Sequence, residues 1–86
     1  MIIKKKIWPE YFDKIISRKK NFEIRLADSE YNVGDILVLE EWNPKTDGYT
    51  GRKIEKKISY ILKTKDLKFW KKEDIDKFGF VVISLD

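Results

Sequence analysis

The chain predicts a mainly β domain with one substantial helix, closed as a small β-barrel of about five strands in the order β-α-β-β-β-(short helix or loop)-β. Three observations carry this expectation. Apolar and charged residues alternate with a period of two at residues 22–26 and again from Ile54 onward, as in strands with one buried face. Tyr11, Phe12, Ile15 and Ile16 form a single helical stripe after Pro9, enough for about three turns. The 86 residues leave room for one core, and short strands bury their apolar faces most simply by curling around a helix that plugs one end. A split sheet with the helix on one face satisfies the same pattern.

Each element has a local reason. Residues 2–8 mix Ile and Lys and read as the first strand. Pro9 suits the first helical position, where its missing N–H costs nothing, and Glu10 and Asp13 favour the positive first turns. Arg18, Lys19 and Lys20 suit the negative helix end. In residues 22–26, Phe22, Ile24 and Leu26 alternate with Glu23 and Arg25, giving a second strand with its apolar side inward. Gly34 then permits a turn over residues 32–35, and residues 36–42 are almost continuously apolar, a strand covered on both faces. The stretch "NPKTDGYTG" reads as a long hairpin loop, followed by an antiparallel strand over residues 52–63. Residues 64–78 form a charged excursion, a short helix or turn, before a final strand at 80–85. One domain spans residues 1–86.

Composition narrows the function. The chain has no cysteine and no histidine, so disulfides, thiolate or imidazole zinc sites and Cys- or His-based catalysis are excluded. No cofactor or metal is expected. Neither a signal peptide nor a membrane-length apolar run is present, which makes the cytoplasm the default compartment. The net charge of +4 is unevenly placed: +5 over residues 1–26, −5 over 27–51 and +4 over 52–86. Such basic segments attract phosphate backbones, although sixteen of the nineteen cations are Lys and general Lys enrichment accounts for the charge equally well.

Lys20, Glu23 and Arg25 are the candidate site. Two residues apart on a strand, Glu23 and Arg25 leave the same face, roughly 7 Å apart. Lys20 stands where helix gives way to strand and can lean over that face. The alternative is a solvated ion pair, worth under ~1 kcal/mol. The run "SRKKNFEIRLAD" resembles the G-x-K-x-x-E-x-R motif of the ASCH domain family, a branch of the PUA-like superfamily, with Lys20, Glu23 and Arg25 at its charged positions. "IWPEYFDKIIS", "YNVGDILVLEEW" and "NPKTDGYTGR" resemble the opening, third strand and hairpin of a compact ASCH-like subfamily. Arg18 stands where the motif usually carries Gly, the His that often precedes the first strand is absent, and Glu23 replaces the Thr of amidohydrolase relatives.

The resemblance implies a PUA-like barrel with a Lys-Glu-Arg cleft between barrel and helix, and RNA or a nucleotide as partner. On this reading Lys20 and Arg25 receive a phosphate or a base carbonyl, Arg25 in a planar two-point contact. Glu23 accepts from an exocyclic amine or orients Arg25. Trp8 or Trp42 offers a ring for stacking, core burial being the other reading for each. Lys4, Lys5, Lys6, Arg52, Lys53 and Lys57 are candidate backbone contacts, with Lys6 and Arg52 counted in the ligand site. A monomer is favoured. The alternative is a small metal-free hydrolase of acylated cytidine or of RNA, with Lys20 and Glu23 as its catalytic candidates. A third reading is a protein-interaction domain, marked by an apolar patch at Phe69 and Trp70.

Overall fold

The sheet opens with a parallel strand pair. In the computed structural model, which describes residues 1–85, β1 (Ile2–Ile7) runs beside β2 (Ile36–Asn43), with Ile2 opposite Ile36 and Ile7 opposite Glu41. The helix α1 (Pro9–Ile16) lies in the connection between them. A tight turn at residues 44–47 then leads into β3 (Gly48–Lys57), antiparallel to β2. The result is a small mixed α/β domain: an open three-stranded sheet in the order β1-β2-β3, with α1, a short 3-10 turn (Thr64–Asp66) and α2 (Lys72–Phe78).

The core sits between α1 and one face of the sheet. Phe12 and Ile15 of α1 pack with Ile7, Leu37 and Leu39, and Ile3, Tyr31, Ile54 and Ile58 border that cluster. These two are the buried half of the expected stripe; Tyr11 and Ile16 remain about half exposed, and α1 is eight residues long rather than about three turns. Pro9 opens α1, and the amides of Tyr11 and Phe12 both donate to the Trp8 carbonyl. At the other end Arg18 adopts φ +63°, the left-handed conformation that usually favours glycine. That reversal lets the Lys19 and Lys20 amides reach back to the Lys14 carbonyl at 2.9 and 3.0 Å. Lys20 is thereby fixed at the helix end.

Three expectations are corrected. Residues 22–26 and 80–85 do not join the sheet, and among the described residues the sheet stays open. The reason at 22–26 is visible in its contacts: the Arg25 guanidinium, not a backbone amide, donates to the Lys6 carbonyl of β1, at 2.7 Å. Residues 80–85 approach the residue just before that stretch through Ser84, whose Oγ accepts from the Asn21 amide at 2.9 Å. The third strand begins at Gly48 rather than 52 and ends at Lys57 rather than 63. Asp47 at φ +53° tightens the turn, and the Trp42–Tyr49 ring pair extends the hairpin toward it. Beyond Ile58, Tyr60 and Leu62 face solvent instead of continuing the expected alternation.

Candidate functional site

The alternation at 22–26 is inverted relative to the expectation. Ile24 and Leu26 are 63% and 79% exposed, while the Lys20 and Glu23 side chains are each only 16% exposed. Each Glu23 oxygen holds a different cation: Lys20 Nζ donates to Oε1 at 2.6 Å, and Arg25 Nε to Oε2 at 2.7 Å. Arg25 Nη2 also bonds the Lys6 carbonyl. A carboxylate shared by two cations keeps both side chains in fixed positions, and charge-assisted bonds of this kind are stronger than neutral ones. Lys20 is further framed by rings, its Nζ lying 5.8 Å from the centre of Tyr11 and 5.3 Å from that of Phe22.

Aromatic side chains continue the site in two directions. Trp8 is half exposed and stacks on Tyr11, with ring centres 6.4 Å apart and planes 26° from parallel. It is a surface ring rather than a core one. On the other side, Lys6 carries its Nζ 3.7 Å over the Trp42 ring, and Tyr49 meets Trp42 edge-on at 4.9 Å. Lys6 is thus common to both parts, its carbonyl bonded to Arg25 and its ammonium held on Trp42.

Arg52 occupies a separate cluster. Its Nε and Nη2 bond Glu41 at 2.9 and 2.6 Å, Nη2 bonds Asp13 of α1 at 2.9 Å, and the guanidinium lies 4.7 Å from the centre of Phe12. Thr50 also donates its hydroxyl to Glu41. The cause is a bulge. Between the pairs Glu40–Lys53 and Trp42–Tyr49, Glu41 of β2 faces three residues of β3, with Gly51 at φ +95°. Arg52 and Thr50 hold the Glu41 carboxyl below the ordinary glutamate range, against the opposing effect of its burial; Glu41 and Asp13 in turn hold Arg52 above its ordinary value. Glu41 and Thr50 escaped the sequence reading. The available signal was an acid pair, Glu40-Glu41, interrupting an apolar strand opposite "TGR".

Lys5 points to the other side of the sheet from Lys6, its Nζ 5.7 Å from the Tyr31 ring centre. Among the described residues, hollows lie away from the Lys20–Glu23–Arg25 group. One, of about 300 Å³, is walled by Trp70, Phe78 and Phe80; another, of about 500 Å³, by Tyr31, Tyr60 and Leu62. Among the described residues no group of three acids could hold a metal ion, and no helix is long and apolar enough to cross a membrane.

The fold and this charged cluster define a small α/β domain with a Lys-Glu-Arg ion cluster just beyond the C-terminal end of α1. The chain matches the family model described as "Domain of unknown function (DUF3850)" over residues 2–83, and it belongs to that family. It is also similar to the "Uncharacterized 12.9 kDa protein in GpA 3'region" of Escherichia phage P2, 38% identical over 65 residues, which is 76% of this chain. The chain spans 55% of the length of that phage relative.

Proposed function

We propose that the domain binds RNA or a nucleotide through the Lys20–Glu23–Arg25 group. The observation that carries this reading is the inward position of that group beside two exposed apolar residues, the reverse of what local patterning favours. Departures from local preference concentrate at functional sites, because ion pairs drawn out of water rarely improve stability over apolar packing. With Glu23 holding both cations, Lys20 and Arg25 are preset donors for a phosphate or base carbonyl, and the Tyr11 ring, on which Trp8 stacks, lies beside Lys20.

The ASCH-like reading of the motif draws support from Arg18. The position where that motif usually carries Gly has φ +63° here, a backbone that only glycine adopts without strain. On the same reading the open sheet is the nucleus of a PUA-like barrel, which residues 22–26 and 80–85, outside the sheet here, would close. Supporting this are the Asn21–Ser84 bond and the unpartnered apolar side chains of Ile24, Leu26, Val81, Ile83 and Leu85. Amide hydrogen exchange tests it: protection at 22–26 and 80–85 equal to that of β2 is the expected result, and exchange as fast as in loops excludes closure.

The function itself is tested by titrating short RNAs and free nucleotides into the protein at fixed salt. Binding that Arg25→Ala reduces, with Lys20→Ala reducing it further, is the expected outcome. No binding of RNA or any nucleotide removes the proposal. Turnover of acylated cytidine that disappears in Lys20→Ala replaces it with the hydrolase reading.

A further inference from the structure

The sheet has two chemically different faces. One packs on α1. The register assigns the other to Lys4, Val38 and Glu55 in one cross-strand row, Lys6, Glu40 and Lys53 in the next, Ile36 and Lys57 at one end, and Trp42 with Tyr49 at the other. Lys4, Lys6, Lys53 and Lys57 are all exposed, whereas Val38, flanked in its row by Lys4 and Glu55, is buried. Among the described residues, Lys4, Lys53 and Lys57 form no ion pair, although Glu40 and Glu55 share their face. Four cations against two anions leave this face positive. Tyr49 is 56% exposed and braced edge-on by Trp42, so it offers a ring that a base can stack on.

We propose that this face is a track for the backbone of a single-stranded nucleic acid, continuous through Lys6 with the Lys20–Glu23–Arg25 group. The inference rests on nucleotide recognition by that group and deepens it: the ligand is an oligonucleotide strand rather than a free nucleotide. Continuity is physical, because Arg25 bonds the Lys6 carbonyl while the Lys6 ammonium sits on Trp42. Lys4 and Lys6 stand roughly 7 Å apart along β1, and Lys53 and Lys57 roughly 13 Å apart along β3, spans that follow several phosphates rather than one. A single strand is favoured over a duplex because only unpaired bases present a face to Tyr49.

The test compares uridine monophosphate with oligouridylates of up to about twelve residues over a salt series, using wild type, K53E/K57E, the charge-neutral K53Q/K57Q and Y49A. Thermal melts confirm that each variant folds. Affinity is expected to rise with length, with a salt dependence steeper than for the mononucleotide. Both double variants lower the slope by roughly 1–2 and return the longest oligomer toward mononucleotide affinity, leaving mononucleotide binding unchanged. Y49A weakens the oligomers by roughly tenfold. Equal affinity for mononucleotide and oligomers overturns the track while sparing the site. Loss of both ligands overturns the site. Heparin or anionic vesicles binding as tightly as oligouridylate, with no effect of Y49A, overturn the track in favour of a general polyanion-binding surface.

Discussion

Glu41 and Arg52 face each other across the bulged hairpin, with Arg52 Nε 2.9 Å from one carboxylate oxygen and Nη2 2.6 Å from the other. The acid is 3% exposed, and it is the only charged member of the strand that turns toward the helix side of β2 among its described residues. Arg52 carries the link onward to Asp13, so one guanidinium joins β2, β3 and α1. Replacing Glu41 with Gln keeps the shape and one acceptor for Thr50 but removes the charge that holds Arg52. A loss of about 1–3 kcal/mol is expected in urea unfolding. An unchanged midpoint would show that the link is ornamental to stability.

The same acid makes stability depend on pH. Its folded pKa lies below the ordinary glutamate value near 4.5, so its contribution is fully present above that value and disappears as pH falls through the lower, folded value. Urea midpoints measured downward from pH 5 should therefore drop, and Glu41→Gln should flatten that acid limb. Asp35, held low by the N-terminal ammonium and by the Asn32 amide, adds a decline of the same sign that the Glu41 variant retains. Parallel acid limbs in the two proteins would contradict the assignment.

Arg18 is a second place where a single change is informative. A non-glycine residue at φ +63° carries a backbone cost, and the Arg18 side chain makes no ion pair among the described residues. Arg18→Gly removes that cost but frees the unfolded chain, so a net gain of up to about 1 kcal/mol is expected. For a domain of this size that raises Tm by about 4–8 °C per kcal/mol. A fall in Tm would mean that the arginine side chain stabilises the helix end more than its backbone strains it.

Gly51 and Gly48 provide a matched pair. A Cβ at Gly51 meets nothing within 4 Å, but its φ of +95° is closed to side chains; Gly48 has no such backbone and its nearest neighbour would be the Thr46 carbonyl at 3.8 Å. Gly51→Ala should destabilise by about 1–2 kcal/mol and loosen Glu41 from its partners, whereas Gly48→Ala should stay within about 0.5 kcal/mol of wild type. Equal effects in chemical denaturation would remove the bulge as the origin of the cluster.

The elements legible from residues were those determined locally. Pro9 and the Phe12–Ile15 stripe defined α1, and the apolar run from Ile36 defined β2 to within a residue. Less legible was anything decided by a distant partner. The period of two at 22–26 identified two faces, but the apolar side expected inward is the outer one at Ile24 and Leu26, because Lys6 and the ion pairs of Glu23 hold the charged side in. Lys20, Glu23 and Arg25 do come together as their spacing implied. Arg52, by contrast, was grouped with them on charge alone, and its engagement with Glu41 and Asp13 depends on a bulge that no periodicity announces.

The parallel pairing of β1 with β2 has a kinetic consequence. The hairpin from Ile36 to Lys57 closes over a four-residue turn and can zip from Asn43 and Gly48 outward, while Ile2 must find Ile36 across the whole of the intervening chain. Loop closure of that length is entropically dearer than hairpin formation, so the first strand docks after the nucleus has formed. Destabilising changes at Ile3 should then accelerate unfolding more than they slow folding, with those at Leu39 and Ile54 doing the reverse.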